Sequence, residues 1–321
     1  MANILKRPGW FIPESLVTPE DVFFNRRKFL KELGFVGGAA LLARGLDAAE
    51  AGASVTAAGG KKYPFPRNKD FDPASAKMTD ENTAGTWNNF YEFSTAKKEV
   101  HKLTGKFVID PWPVEIGGHC EKPFKADAEE LIEMMPMEER VYRFRCVEAW
   151  SMTVPWTGFP LSKLIEKAQP KAEAKYVRFV SFMRPDQAPG YAELPKYPWP
   201  YTEGLRMDEA MNPLTMVVTG VYGKPLPKQH GAPIRIVVPW KYGYKSIKSI
   251  VKIEFVEKEP ATLWDTILPE EYPFESNVDP NVPHPRWSQA TEWVLGNPYV
   301  RVKTKPYNGY AEYVEKLYKK T

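Results

Sequence analysis

Apolar and polar positions alternate along residues 139–146. Tyr142, Phe144 and Cys146 fall on one side, and Val141, Arg143 and Arg145 on the other. The pattern predicts a strand that ends at a thiol. After Cys146 the alternation fails. Val147, Glu148 and Ala149 give way to Trp150, Met152, Pro155, Trp156 and Gly158, which predicts a Pro/Gly loop ringed by aromatics. Further strands are expected at 112–118, at 175–182 with Val177, Phe179 and Ser181 on one face, and at 214–222 as a continuous apolar run. Two more are expected at 231–240, enclosing Arg235, and at 246–256. Helical spacing appears twice. Leu131, Met134 and Met135 follow a capping-box-like Asp127 and Glu130 and stop at Pro136, and Leu161, Leu164, Ile165 and Ala168 follow Pro160. The Pro/aromatic tail from 260 is expected to cover a sheet. Strands and helices mix without regular β-α-β alternation, so the fold class is α+β.

The 31 prolines in 321 residues reinforce an irregular, loop-rich fold. A net charge of +4 with no basic run interleaved with aromatics points to no nucleic acid. The first residues change the picture most. Arg26-Arg27 stands before a Phe-Leu pair and a Gly/Ala-rich apolar run, 34–43, too short to span a bilayer. This is a twin-arginine export signal, and it sets the expected organisation: signal peptide 1–53, linker or extended arm 54–86, one catalytic domain 87–321. Such a route carries folded proteins to the periplasm, commonly because a cofactor is inserted first.

No dinucleotide fingerprint, phosphate loop, Cys-x-x-Cys, zincin pair or Ser nucleophile elbow is present. The two cysteines leave two alternatives. Cys120 and Cys146 can form one disulfide in an oxidising compartment, or Cys146 can stand free as a soft-metal ligand. Arg143, Arg145 and Arg235 would favour its thiolate, although Arg143 equally suits a solvated strand face. Trp87-Asn-Asn-Phe-Tyr-Glu-Phe93 is either a turn with a capped polar group or part of a ligand site.

Arg-x-Arg-Cys-Val-Glu-Ala-Trp-Ser-Met around Cys146 can be taken with that aromatic block, the segment 230–250 and His284-Pro-Arg-Trp-Ser-Gln-Ala-Thr-Glu292. Together they closely resemble the periplasmic protein-methionine-sulfoxide reductase catalytic subunits, of the sulfite-oxidase fold of molybdenum enzymes. The resemblance implies a sulfite-oxidase-like molybdopterin-binding fold and a mononuclear molybdenum on one pyranopterin dithiolene, with Cys146 as the protein's only metal ligand. It implies pterin contacts from Asn88, Tyr91 and Glu92, and a phosphate clamp from Arg235, Ser246, Ile247 and Lys248. Ser181 stands where the family has Thr and keeps the hydroxyl; His230 stands where it has Asn and can still donate a hydrogen bond. Cys120 has no role in the family. The implied activity is reduction of methionine sulfoxide in periplasmic proteins by oxygen-atom transfer, a repair of oxidation damage. Electrons would come from the quinone pool through a haem-containing membrane subunit, MsrQ in this family. The rivals are the sulfite-oxidising branch, a reductase of other small S- or N-oxides, and a cofactor-free binding module on the same fold.

Overall fold

The computed structural model describes residues 63–72 and 77–319; the export signal expected over 1–53 lies outside them, as do residues 54–62 of the expected arm. Strands are numbered along the chain. The first sheet runs in the order β2 (Phe124–Asp127), β1 (Pro113–Gly118), β10 (Ile250–Val256), β5 (Tyr176–Ser181), β6 (Thr202–Arg206). Only β1 and β10 pair in parallel. The second sheet runs β12 (Asn297–Lys303), β11 (Thr291–Val294), β4 (Trp150–Pro160), β7 (Met216–Val221), β8 (Lys224–Pro225), with β3 (Glu138–Cys146) on β4 and β9 (Arg235–Val237) on β7. This mixture of sheets with short helices is the expected α+β class.

Local sequence explains much of this. On β5, Val177, Phe179 and Ser181 are buried as the alternation predicts. Asp127 caps the helix Ala128–Met134 through a capping box with Glu130. The helix Leu161–Ala168 buries Leu161, Leu164, Ile165 and Ala168. Two expected strands are shorter than the sequence suggests. The 231–240 segment keeps only β9, because a 3-10 turn over Lys228–His230 ends in Gly231 at φ 97°. The 246–256 segment starts its strand at Ile250, after a second such turn, Gly243–Lys245.

The expected loop after Cys146 is instead a strand. β4 pairs with β3 from Cys146–Trp150 out to Glu138–Gly158, and only Pro160 of it is not buried. A strand covered on both faces shows no alternation, so period-2 patterning cannot reveal it. Pro155 is tolerated because it sits just beyond the β4–β7 register, where its carbonyl still accepts from Tyr222 N–H at 3.0 Å.

The tail does more than cover a sheet. β11 lies parallel to β4 at Trp150 and Ser151, and it brings Glu292 to Arg145 at 2.6 Å, both side chains with no exposed surface. Arg143, whose solvated-face alternative fails, also pairs with Glu292. Burial alone would raise the Glu292 carboxyl, but the two arginines outweigh it and hold it below the ordinary carboxylate range.

Replacing Glu292→Gln leaves Arg145 charged and unpaired in a dry interior, which should cost about 3–5 kcal/mol in denaturant unfolding near neutral pH. A folded-state carboxyl held low contributes stability above its unfolded pKa of about 4.3 and loses it as pH falls through the folded value. The gap between parent and variant should therefore be flat from about pH 6 to 8 and close below about pH 4. Equal stability at neutral pH would refute this role.

Candidate active site

The β3–β4 turn delivers Cys146 to the wall of a cavity whose non-atom space, counted out to bulk solvent, is about 910 Å³. Its sulfur accepts from Asn89 Nδ2 at 3.3 Å and from Glu148 N–H at 3.5 Å. The Glu148 carboxylate lies 3.6 Å from the sulfur and is held by Trp150 Nε1 at 3.1 Å and Lys97 Nζ at 3.0 Å. Cys120 lies beyond β1, in the turn that bridges to Pro170, and both cysteines are free. The disulfide alternative is thereby removed.

The expectation that three arginines favour the thiolate fails. Burial, then Glu148, push the Cys146 thiol well up, and the opposing pull of Lys97 and Arg145 does not offset them. Arg145 and Arg143 are engaged by Glu292, and Arg235 by three backbone carbonyls. Until a metal displaces the proton, this side chain is a thiol.

The same cavity wall also carries buried cations. Arg235 is 1% exposed and donates to three carbonyls, His230 O at 2.8 Å, Ser246 O at 3.0 Å and Ile236 O at 3.2 Å, and to no carboxylate. Lys248 Nζ faces the same space and donates to Asn89 O at 2.6 Å. The contrast with other buried cations is sharp. Lys241 pairs with Glu209 at 2.6 Å and Lys245 with Glu203 at 2.5 Å. Burial pushes Arg235 down to about 9 with no carboxylate to offset it. Glu92, which lines the same cavity and attracts Lys248, is pushed up by burial and cannot neutralise both cations. An uncompensated charge in such a place costs several kcal/mol, so the arrangement fits a bound anion.

Asn88 adds a second orphan. Its amide nitrogen donates weakly to Ala84 O at 3.4 Å, while its buried Oδ1 has no partner. An acceptor without a donor, beside cations without an anion, matches a ligand carrying both N–H groups and a phosphate, as a pterin phosphate does. Among the described residues no group of three or more His, Cys, Asp or Glu could hold a metal, so a metal on Cys146 needs its other ligands from such a cofactor.

Asn88, Tyr91, Glu92, Cys146, His230, Arg235, Ser246, Ile247 and Lys248 all line this cavity. Ser181 does not. It supports the wall from behind, donating to Lys248 O at 2.8 Å and hydrogen-bonding Glu92. Asn89, Tyr201, Tyr244, Trp264 and Tyr272 also line it and were missed. Asn89 was legible as the second amide of the aromatic block; Tyr201 and Tyr272 lie in loops, Tyr244 in the turn Gly243–Lys245 and Trp264 on the short helix Leu263–Ile267, and no local pattern reveals where these reach.

Residues 101–264 match the family described as oxidoreductase molybdopterin binding domain, which defines the class. The protein-methionine-sulfoxide reductase catalytic subunit MsrP of Burkholderia mallei is 49% identical over 96% of this chain and 93% of its own length. That of Xanthomonas axonopodis pv. citri is 45% identical over 96% and 95%, and that of Campylobacter jejuni 47% over 95% and 97%. The chain belongs to this family of catalytic subunits. Among solved structures, the sulfane dehydrogenase SoxCD from Paracoccus pantotrophus is similar at TM-score 0.41 and 18% identity, over 61% of this chain and 56% of that one.

His230 is buried between Arg235 and Lys248, and burial first, then those cations, lower it to about 3. It enters the site as a neutral imidazole. In an NMR titration of the four histidines, the His230 ring signals should stay at their neutral positions from pH 8 down to about pH 4. A midpoint near 6.5 would refute the dry, cationic setting.

Proposed function

We propose that this chain holds a mononuclear molybdenum on one pyranopterin dithiolene and reduces methionine sulfoxide in proteins. The observation that carries it is the pairing, in one cavity, of a free buried thiol with Arg235 and Lys248, two cations lacking a close carboxylate. Bound there, the cofactor supplies two-electron oxygen-atom exchange with sulfur. The chain supplies placement. Cys146 is the metal ligand. Asn88, Tyr91, Glu92 and His230 hold the pterin, and Arg235 with Ser246, Ile247 and Lys248 hold its phosphate, with Ser181 bracing the Lys248 carbonyl. Trp150 and Met152 keep water from the sulfur, and Asn89 orients it by hydrogen bonding.

The substrate class follows from charge at the thiol end. Sulfite is a dianion and needs converging arginines, but Arg143 and Arg145 are engaged by Glu292 and the carboxylate of Glu148 stands beside the sulfur. A neutral sulfoxide meets no such repulsion. The names of the relatives support this substrate and, in the words catalytic subunit, a partner. We place the mature protein in the periplasm, exported folded through Arg26-Arg27, with oxidised periplasmic proteins as repair substrates. Among the described residues no helix is long and apolar enough to cross a membrane. We place the link to the quinone pool in a separate haem-containing membrane subunit of the MsrQ kind.

Purified protein should contain about one molybdenum per chain by elemental analysis, and Cys146→Ser should lose metal and sulfoxide reduction while its unfolding midpoint stays near the parental value. A metal-free parent with a filled cavity would instead support a binding module. Faster turnover of sulfite than of oxidised methionine would establish the sulfite-oxidising branch.

A further inference from the structure

The turn carrying Cys146 is fastened by a segment 140 residues further along the chain. Between Cys146 and Trp150 the backbone adopts a conformation that a non-glycine residue resists, with Ala149 at φ 63°. A left-handed alanine costs about 1–2 kcal/mol, so something must hold it. Three carbonyls of the turn accept from donors anchored on the tail. Cys146 O accepts from Arg145 NH1, whose guanidinium is itself gripped by Glu292. Ala149 O accepts from Trp293 N–H at 3.1 Å. Val147 O accepts twice, from Trp287 Nε1 at 2.8 Å and Gln289 Nε2 at 2.7 Å.

Gln289 has no freedom in this role. It is 2% exposed, and its Oε1 accepts from Arg145 NH2 at 2.8 Å. Arginine only donates, so the amide oxygen must face it and the amide nitrogen must face Val147. One side chain thus ties the buried ion pair to the peptide that follows the thiol. Trp287, the second donor, is held flat by His284, with rings 3.7 Å apart and 4° from parallel. The match to the oxidoreductase family ends at residue 264, before Trp287, Gln289 and Trp293.

We infer that Gln289, seconded by Trp287, is a positioning residue for Cys146: it fixes the direction in which the sulfur is presented to a bound metal. This rests on the molybdenum reading above. The fold itself is secured without it, by the Arg145–Glu292 pair and by the pairing of β11 with β4. Removing the amide should therefore loosen one turn and leave the molecule folded.

The test compares the parent holoenzyme with Gln289→Met and Trp287→Phe. It measures molybdenum per chain, the unfolding midpoint, the electron paramagnetic resonance spectrum of the Mo(V) state, and kcat and KM on an oxidised-methionine protein. Both variants should keep near-parental molybdenum and midpoint. Their spectra should shift or split into two populations, and kcat should fall about 10–100-fold with KM within about twofold. Parental spectra and kcat in a fully loaded variant would overturn the inference. If Gln289→Met does not fold, Trp287→Phe carries the same comparison. A parent without molybdenum would overturn the functional reading instead, and the clamp is then judged on the metal-free chains by amide exchange at Ala149 and Trp150. Exchange faster by about tenfold or more in the variants supports it, and unchanged exchange overturns it.

Discussion

A single carboxylate with no exposed surface, Glu292, receives Arg143 and Arg145 of β3 and so decides where the tail of the chain lies. Arg145 has no exposed surface and is intolerable there without an anion, and the carboxylates of β3, Glu138 and Glu139, are taken by Arg140 and Arg67. The tail supplies it from β11, and β11 in turn pairs beside Trp150 at the start of β4. The same contact that neutralises Arg145 therefore fixes the turn between β3 and β4, where the thiol stands. Stability and site geometry are coupled through one ion pair.

The accounting of buried charge also separates structure from function within the protein. Arg145, Lys241 and Lys245 each have a carboxylate within 2.6 Å. Arg235 and Lys248 have carbonyl oxygens alone, and both face the cavity. A chain that neutralises its interior cations elsewhere leaves these two for an exogenous anion. At the thiol, burial and Glu148 keep the proton on the sulfur. On the proposed reading the two cations receive a phosphate, and the thiol a soft metal beside a neutral substrate.

Much of the site was legible because its residues sit in short, chemically loaded blocks. Asn88, Tyr91 and Glu92 share one aromatic loop, Cys146 ends an alternating strand, and His230 to Lys248 form one continuous stretch. Nine of the ten expected residues meet at one cavity wall. Ser181 was expected there from the family resemblance, but its hydroxyl is taken by Lys248 O. Tyr201 and Tyr272 escaped because irregular loops carry them, and Trp264 because its helix, Leu263–Ile267, is too short to show a pattern; nothing local states which cavity such a segment will reach.

The sequence by itself determined the elements with a one-sided pattern: β5, the two amphipathic helices, and β3 as far as its thiol. It also determined the kinds of atom available for chemistry. Only the tertiary structure decided that 150–160 is a strand, because burial on both faces erases the period by which strands are read. Only the tertiary structure made Arg143 and Arg145 partners of Glu292 rather than activators of Cys146, because a charge acts through the nearest opposite charge and a low-dielectric interior. Side-chain types are local facts. Which of them meet, and how much water lies between them, is settled by contacts nearly 150 residues apart.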